Sequence, residues 1–261
     1  MHHAARYTSF AVAVIVKEPA RARESSISES PMKIVTKWLS ALLLPFVIAT
    51  ACGAEDFVED AEYTRLATPQ PTSAPDKVEV VEMFSYACPH CFHMEPELDA
   101  WLKTKPADVV FVRLPVVFRP EWEVLAKAYF TAQILGVLDK THEALFEAIH
   151  EKNQKFTDEA AVQAFFVEQG VSADDFRNTF NSFAVAVRLN SAKMMTRRYA
   201  ITGVPTFIVN GKYSTSASLV GGTQSGLSVK ELNEKTLQVV DYLVTQERAA
   251  AKPSSTATKS P

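Results

Sequence analysis

Apolar and polar positions change their period several times along the chain. Val78 to Tyr86 is an almost continuous apolar, β-branched run, which predicts a strand buried on both faces. Pro89 to Lys103 reads as a helix, and Val109 to Phe118 as a second buried strand. From Glu121 to about Ala200 the period becomes helical. Trp122, Leu125, Tyr129, Ala132 and Leu135 fall on one helical face. Thr157 to Gln169 repeats the pattern and stops at Gly170, a residue suited to a helix C-terminus. Ser172 to Asp175 has the form of a capping box, with Phe176, Phe180 and Phe183 behind it. Trp101, Trp122 and the phenylalanines of this helical region are expected in the core. Thr206 to Asn210 reads as a strand, and Asn210-Gly211 as a hairpin turn, with a short strand expected near 217–220. Ser228 to Glu231 caps a final helix that ends near Glu247.

The order is therefore β-α-β, some eighty residues of helices, then β-β-α. Neither flank has strands enough for a stable sheet, so the chain must return to complete one sheet. This predicts an α/β fold with an inserted all-helical domain. The expected boundaries are 76–119 and 201–248 for the two parts of the sheet domain and 120–200 for the insert. A polar lead-in with three prolines, packed along the surface, precedes them at 52–75, and a small, polar, disordered tail follows at 249–261.

The N-terminal segment reads differently. Lys33 and Lys37 precede an apolar run from Trp38 to Ala49, followed by small residues, which is the three-part pattern of an export signal at 32–51. About twelve residues is too short to span a bilayer core, which needs roughly twenty. Ile48-Ala49-Thr50-Ala51-Cys52 is similar to a lipoprotein box, with Ala49 where leucine is usual. Cys52 is thus a candidate for acylation and anchoring to the inner membrane; the alternative is a soluble periplasmic protein. Residues 1–31 sit awkwardly upstream of the signal and read as a misassigned extension, with Met32 the true start. On that reading His2 and His3 have no functional role.

Composition narrows the function. The 261 residues carry 27 basic and 30 acidic side chains, a formal net charge of −3, which argues against a nucleic-acid partner. Three cysteines are too few for a disulfide-built scaffold.

The chemistry concentrates in Phe84-Ser85-Tyr86-Ala87-Cys88-Pro89-His90-Cys91. A strand delivers the chain to Cys88 and a helix starts there. Pro89 suits the first helical position, since its missing N–H would have been unpaired. Cys88 at the N-cap faces unpaired amide groups and the positive end of the helix dipole, and a protonated His90 adds charge beside the sulfur. All favour the thiolate, the species that attacks disulfides. Cys91, three residues on, lies on the same helix face and is expected to be the more buried partner thiol.

Other readings of the pair are weaker. A structural zinc site needs four ligands, and even with His93 a fourth is missing. Covalent haem attachment needs histidine where Phe92 stands. A purely structural disulfide over so short a loop would stabilise little. No metal or cofactor is expected.

Two further features stand out. In Gly203-Val204-Pro205-Thr206 a proline opens an apolar strand, which removes a ladder donor. The local sequence favours a trans bond; a cis bond would let Val204 offer its backbone to an extended peptide. Glu82 lies in the middle of an apolar strand, so it needs a partner or an altered pKa. Arg113 on the second strand is the candidate, and the pair could move protons near Cys91. The alternative for Glu82 is a solvent-facing charge at a sheet edge.

With Cys88-Pro89-His90-Cys91, Val204-Pro205 and the helical insert between them, roughly Phe57 to Glu247 resembles the DsbA family, the periplasmic thiol:disulfide oxidases of the thioredoxin superfamily. The resemblance implies a thioredoxin-like fold, with Cys88 as nucleophile and Cys91 as second thiol. It further implies a cis Pro205 and a buried acid at Glu82, with Arg113 where the family often carries lysine. Implied partners are reduced, unfolded exported proteins and the quinone-linked membrane protein DsbB; the protein is expected to act as a monomer. Pro96 within the active-site helix is a departure and should kink it. The alternatives are a periplasmic disulfide reductase or isomerase, or a non-catalytic metal-binding or chaperone module.

Overall fold

The structure, a computed structural model, describes residues 56–224 and 226–251. The upstream extension, the export signal, Cys52 and residues 252–261 lie outside them. Five strands form one mixed sheet in the order β1-β5-β4-β2-β3. They are β1 (Thr64–Arg65), β2 (Val78–Phe84), β3 (Val109–Pro115), β4 (Thr206–Val209) and β5 (Tyr213–Thr215).

β2 is central and every one of its seven residues is buried, as expected of a β-branched run covered on both faces. It pairs in parallel with β3 through the crossover helix α1 (Pro89–Thr104), and antiparallel with β4. After β3 the chain leaves the sheet at Pro115. A short 3₁₀ turn and five helices follow: α2 (Glu123–Leu135), α3 (Leu138–His150), α4 (Glu159–Glu168), α5 (Ala173–Phe180) and α6 (Phe183–Arg198). β4 then re-enters beside β2, and α7 (Ala217–Thr223) and α8 (Val229–Ala251) complete the described chain.

Helix ends follow local chemistry. Ser172 accepts from the Asp175 N–H at the start of α5, and Gly170, at φ +86°, follows the end of α4. Ser228 and Glu231 exchange hydrogen bonds ahead of α8 as a capping box does. α1 continues without a break through Pro96.

α1 and α8 cover one face of the sheet, where Met94, Leu98, Trp101, Leu237 and Val240 pack on Val80 and Phe207. On the other face Val81, Met83 and Ile208 meet Val116, Tyr199 and Ile201. The core of the helical insert runs without interruption into Phe84, Tyr86, Cys88 and Cys91.

Several expectations need correction. The lead-in is no mere surface segment: it adds β1 to the sheet edge and buries Phe57 and Tyr63. The strand expected near 217–220 lies at Tyr213–Thr215, directly after the turn at Asn210-Gly211, and 217–223 is helical because Ser216 caps it through the Leu219 N–H. Trp122 is only partly buried and rests on the exposed ring of Phe118, and Phe183 is 83% exposed. The last helix runs past Glu247 to Ala251, so 249–251 do not belong to an unstructured tail. Among the described residues no helix is long and apolar enough to cross a membrane.

Candidate active site

β2 delivers the chain to Ser85, a tight turn follows, and α1 begins. The Cys88 N–H donates to the Ser85 carbonyl at 3.0 Å, and the Ala87 N–H to Ser85 Oγ at 3.2 Å. Cys88 is the N-cap, with extended backbone (φ −94°, ψ 117°), and Pro89 occupies the first helical turn. No side chain caps this end of the helix, so its amides are left to the sulfur. His90 is exposed beside it.

Both thiols are free, so this is the dithiol state. They differ in setting. Cys88 is 8% exposed and Cys91 fully buried. The Cys91 thiol donates toward Cys88, the Cys91 and His90 amides add to it, and the His90 charge helps. Against the opposing effect of burial, these lower the Cys88 pKa to about 6. Burial raises Cys91 well above an ordinary thiol, and the neighbouring Cys88 and Glu82 push the same way. At neutral pH one sulfur is an anion and the other a thiol, which splits the nucleophile from its partner.

Val204-Pro205 closes the other side. The peptide bond is cis, and Cys88 Sγ lies 3.3 Å from the Val204 carbonyl oxygen, to which it donates only when protonated. Two segments some 115 residues apart in sequence thus meet at one sulfur.

Glu82 sits behind Cys91 on β2 with no exposed surface. Arg113, its register partner on β3, donates through Nε to Glu82 Oε2 at 3.0 Å. The reading of Glu82 as a solvent-facing edge charge is therefore set aside. Burial, followed by the nearby Glu95 carboxylate, raises the Glu82 pKa to about 8 even with Arg113 opposing.

Sequence reasoning missed the rest of this cluster. Glu95, one turn after Cys91 on α1, accepts from Arg113 Nη2 at 2.9 Å. Burial works against its charge, but His142 and Arg113 outweigh it and its pKa lies below the usual carboxylate value. His142 Nε2 lies 3.4 Å from Glu95 Oε2, and its Nδ1 is 2.7 Å from the Tyr86 hydroxyl. Burial lowers the His142 pKa more than Glu95 raises it, so the imidazole is neutral and accepts from Tyr86. One proton is thus shared out unequally: Glu82 keeps it, while Glu95 stays charged opposite Arg113. The spacing of Cys91 and Glu95 by four residues was the one signal available for Glu95; nothing near Cys88 in sequence pointed to His142.

A groove of about 870 Å³ opens beside this cluster, lined by Phe92, Glu95, Arg113, His142 and Phe146 among others. Neither cysteine lines it. Among the described residues no group of three or more His, Cys, Asp or Glu side chains is arranged to hold a metal ion. Cys52 lies outside the described residues.

The chain is similar to known proteins in sequence and in fold. Residues 121–231 match the family described as the DSBA-like thioredoxin domain. A protein of Pseudomonas aeruginosa named thiol:disulfide interchange protein DsbA is 40% identical, over 82% of this chain and 97% of its own length. The protein of that name from Pseudomonas syringae pathovar tomato is 41% identical, over 78% of this chain and 90% of its own. Among solved structures, Pseudomonas aeruginosa DsbA superposes with a TM-score of 0.68 at 40% identity, covering 75% of this chain and 96% of that one. The oxidoreductase DsbA of Xylella fastidiosa gives 0.63 at 35% identity, covering 72% and 96%.

Proposed function

The chain belongs to the DsbA family, with its thioredoxin-like fold and helical insertion, and from this we propose that Cys88 and Cys91 are the redox pair of a periplasmic thiol:disulfide oxidoreductase. It donates its disulfide to reduced exported proteins. The observation that carries the site assignment is the split between the two sulfurs, with Cys88 lowered to about 6 and Cys91 raised.

In the oxidised enzyme a substrate thiolate attacks Cys88 Sγ. The Cys88–Cys91 bond breaks, a mixed disulfide forms, and Cys91 leaves with the electron pair. Its high pKa means that it takes up a proton, and Glu82, protonated at neutral pH and held by Arg113, is the proposed source. A second substrate thiolate then attacks the substrate sulfur of the mixed disulfide. Cys88 departs as a stable thiolate, which favours this step over its reversal. The substrate dithiol has lost two electrons, which the enzyme has gained; of its two protons one replaces that given up by Glu82 and the other goes to solvent, because Cys88 stays a thiolate. The cis Val204-Pro205 segment beside Cys88 is the proposed seat for extended substrate backbone, and His90 and Pro89 serve the thiolate.

Two finer parts of the proposal concern surroundings. Reoxidation is assigned to the quinone-linked membrane protein DsbB. Acylation at Cys52 would tether the enzyme to the inner membrane; mass spectrometry of the mature N-terminus reads it directly.

The test of the site is catalysis of disulfide formation in a reduced, unfolded protein. Wild type should accelerate it and Cys88→Ser should not. A Cys88→Ser variant that still catalyses would overturn the assignment, and a Cys88 thiolate pKa above about 7 would point to a reductase instead.

A further inference from the structure

Helix α3 carries His142, Phe146 and His150 at intervals of four, so all three project from one side. All three meet the same residue, Tyr86. His142 Nδ1 takes the Tyr86 hydroxyl at 2.7 Å, and the Phe146 ring lies 4.8 Å from the Tyr86 ring. His150 Nε2 donates to the Tyr86 carbonyl at 2.8 Å. The His150 ring also stacks on Phe92, with centroids 5.1 Å apart and planes 14° from parallel. Tyr86 lies two residues before Cys88, and Phe92 directly follows Cys91. His150 therefore grips the chain on both sides of the redox motif while touching neither thiol.

The side chain of Tyr86 is anchored by His142 and Phe146, but the backbone of the turn from Ser85 to Cys88 has few partners. Its own bonds are the two to Ser85 already described, and the Tyr86 carbonyl is committed to His150. This peptide leads straight into the amides that solvate the Cys88 sulfur, those of His90 and Cys91. Amide N–H groups attract a thiolate and carbonyl oxygens repel it. The orientation of the Tyr86–Ala87 peptide thus governs how squarely Cys88 faces the start of α1.

We propose that His150 is a positioning residue for the redox centre: its Nε2–H keeps the Tyr86 carbonyl turned toward α3, and so couples the helical insert to the stability of the Cys88 thiolate. The proposal rests on the assignment of Cys88 as the nucleophile. It acts through Tyr86 and involves no contact of His150 with substrate.

Two variants separate the donor from the ring. His150→Phe keeps an aromatic ring against Phe92 and removes the donor; His150→Gln returns an N–H donor without the imidazole. The readouts are the Cys88 thiolate titration by ultraviolet absorbance and the equilibrium of the Cys88–Cys91 pair with glutathione. Thermal unfolding is followed alongside. His150→Phe should raise the thiolate pKa by about 0.5–1 unit and make the bridge roughly two- to sixfold harder to reduce at pH 7. His150→Gln should restore most of both. The inference is overturned if His150→Phe leaves pKa and equilibrium at wild-type values, whatever it does to unfolding, or if His150→Gln behaves as His150→Phe does. A wild-type protein that fails to exchange with glutathione would instead overturn the redox reading itself.

Discussion

Replacing Glu82 by Gln keeps the shape of the side chain and an oxygen for Arg113 Nε, but removes the ability to ionise. The consequence for stability follows from the cluster geometry. Glu82 is fully buried, its Oε1 has no protein partner, and its pKa is raised to about 8, first by burial and then by Glu95. In the unfolded chain the same carboxyl ionises near 4.5. Between these values the unfolded state sheds the proton while the folded state holds it. Wild-type stability is therefore full below pH 4.5 on this account and falls as pH rises toward 8, by about 1.4 kcal/mol per unit. From pH 5 to pH 7 the loss is on the order of 3 kcal/mol. Glu82→Gln escapes that loss. Arg113 keeps its charge balance because Glu95 holds it at 2.9 Å. His142 and Cys88 also titrate in or near this window, and taking the variant-minus-wild-type difference at each pH cancels them. The assay is urea unfolding of the reduced proteins at pH 5, 6, 7 and 8. The stability difference should climb in favour of Glu82→Gln by roughly 1 kcal/mol or more per unit. A difference that stays flat would refute the protonated, buried Glu82 and with it the proposed proton source for Cys91.

Other consequences are simpler to read. The Cys88 thiolate should titrate near 6 in the reduced protein. At pH 7 that favours the reduced state over one with an ordinary thiol by at most about 1.4 kcal/mol, near 30 mV for two electrons, because only the one unit between the pKa and pH 7 counts; solvent screening at the sulfur lowers it further. The depressed pKa means that this contribution is present above the ordinary thiol range and lost as pH falls through about 6. His90→Leu should raise the pKa by less than about half a unit, because the His90 charge ranks last among the causes and its amide remains. Cys91→Ser, offered a disulfide-bonded substrate, should accumulate a mixed disulfide through Cys88, seen as a mass adduct, because the Cys88 thiolate opens the substrate bridge and no Cys91 thiol is left to release it; its absence would mean that Cys88 is not the reactive sulfur. Gly211→Ala should lower stability by about 2–4 kcal/mol in thermal unfolding, since φ is +62° and a new Cβ would lie 2.1 Å from the Gln70 carbonyl oxygen. Gly136→Ala, also at positive φ but in open space, should cost only about 1 kcal/mol.

The parts of the fold legible in the sequence were those fixed by neighbours in the chain. The apolar run of β2, the proline opening α1, and the serine caps at Ser172 and Ser228 each carry their own reason within a few residues. β5 was displaced because three residues after a tight turn leave no period to read, and Ser216 marked the next helix only once its Leu219 contact was seen. Phe57 and Tyr63 were lost in a polar, proline-rich stretch because what buries them, Tyr213 and Tyr242, lies far along the chain. Trp122 and Phe183 erred the other way, since apolar type does not dictate burial. The site divides similarly. Cys88, Cys91 and His90 form one local motif, and Glu82 was conspicuous as a charge within an apolar strand. Glu95, His142 and His150 acquire meaning only when α1 and α3 come together behind the thiols.

An oxidase must hold its reduced form more favourably than the bridged one. Equilibrating the protein with defined ratios of reduced and oxidised glutathione at pH 7, and reading the fraction of Cys88–Cys91 disulfide, tests this directly. The bridge should be open at ratios where a thioredoxin, near −270 mV, remains closed. A midpoint at or below that potential would contradict it and make the protein a reductant.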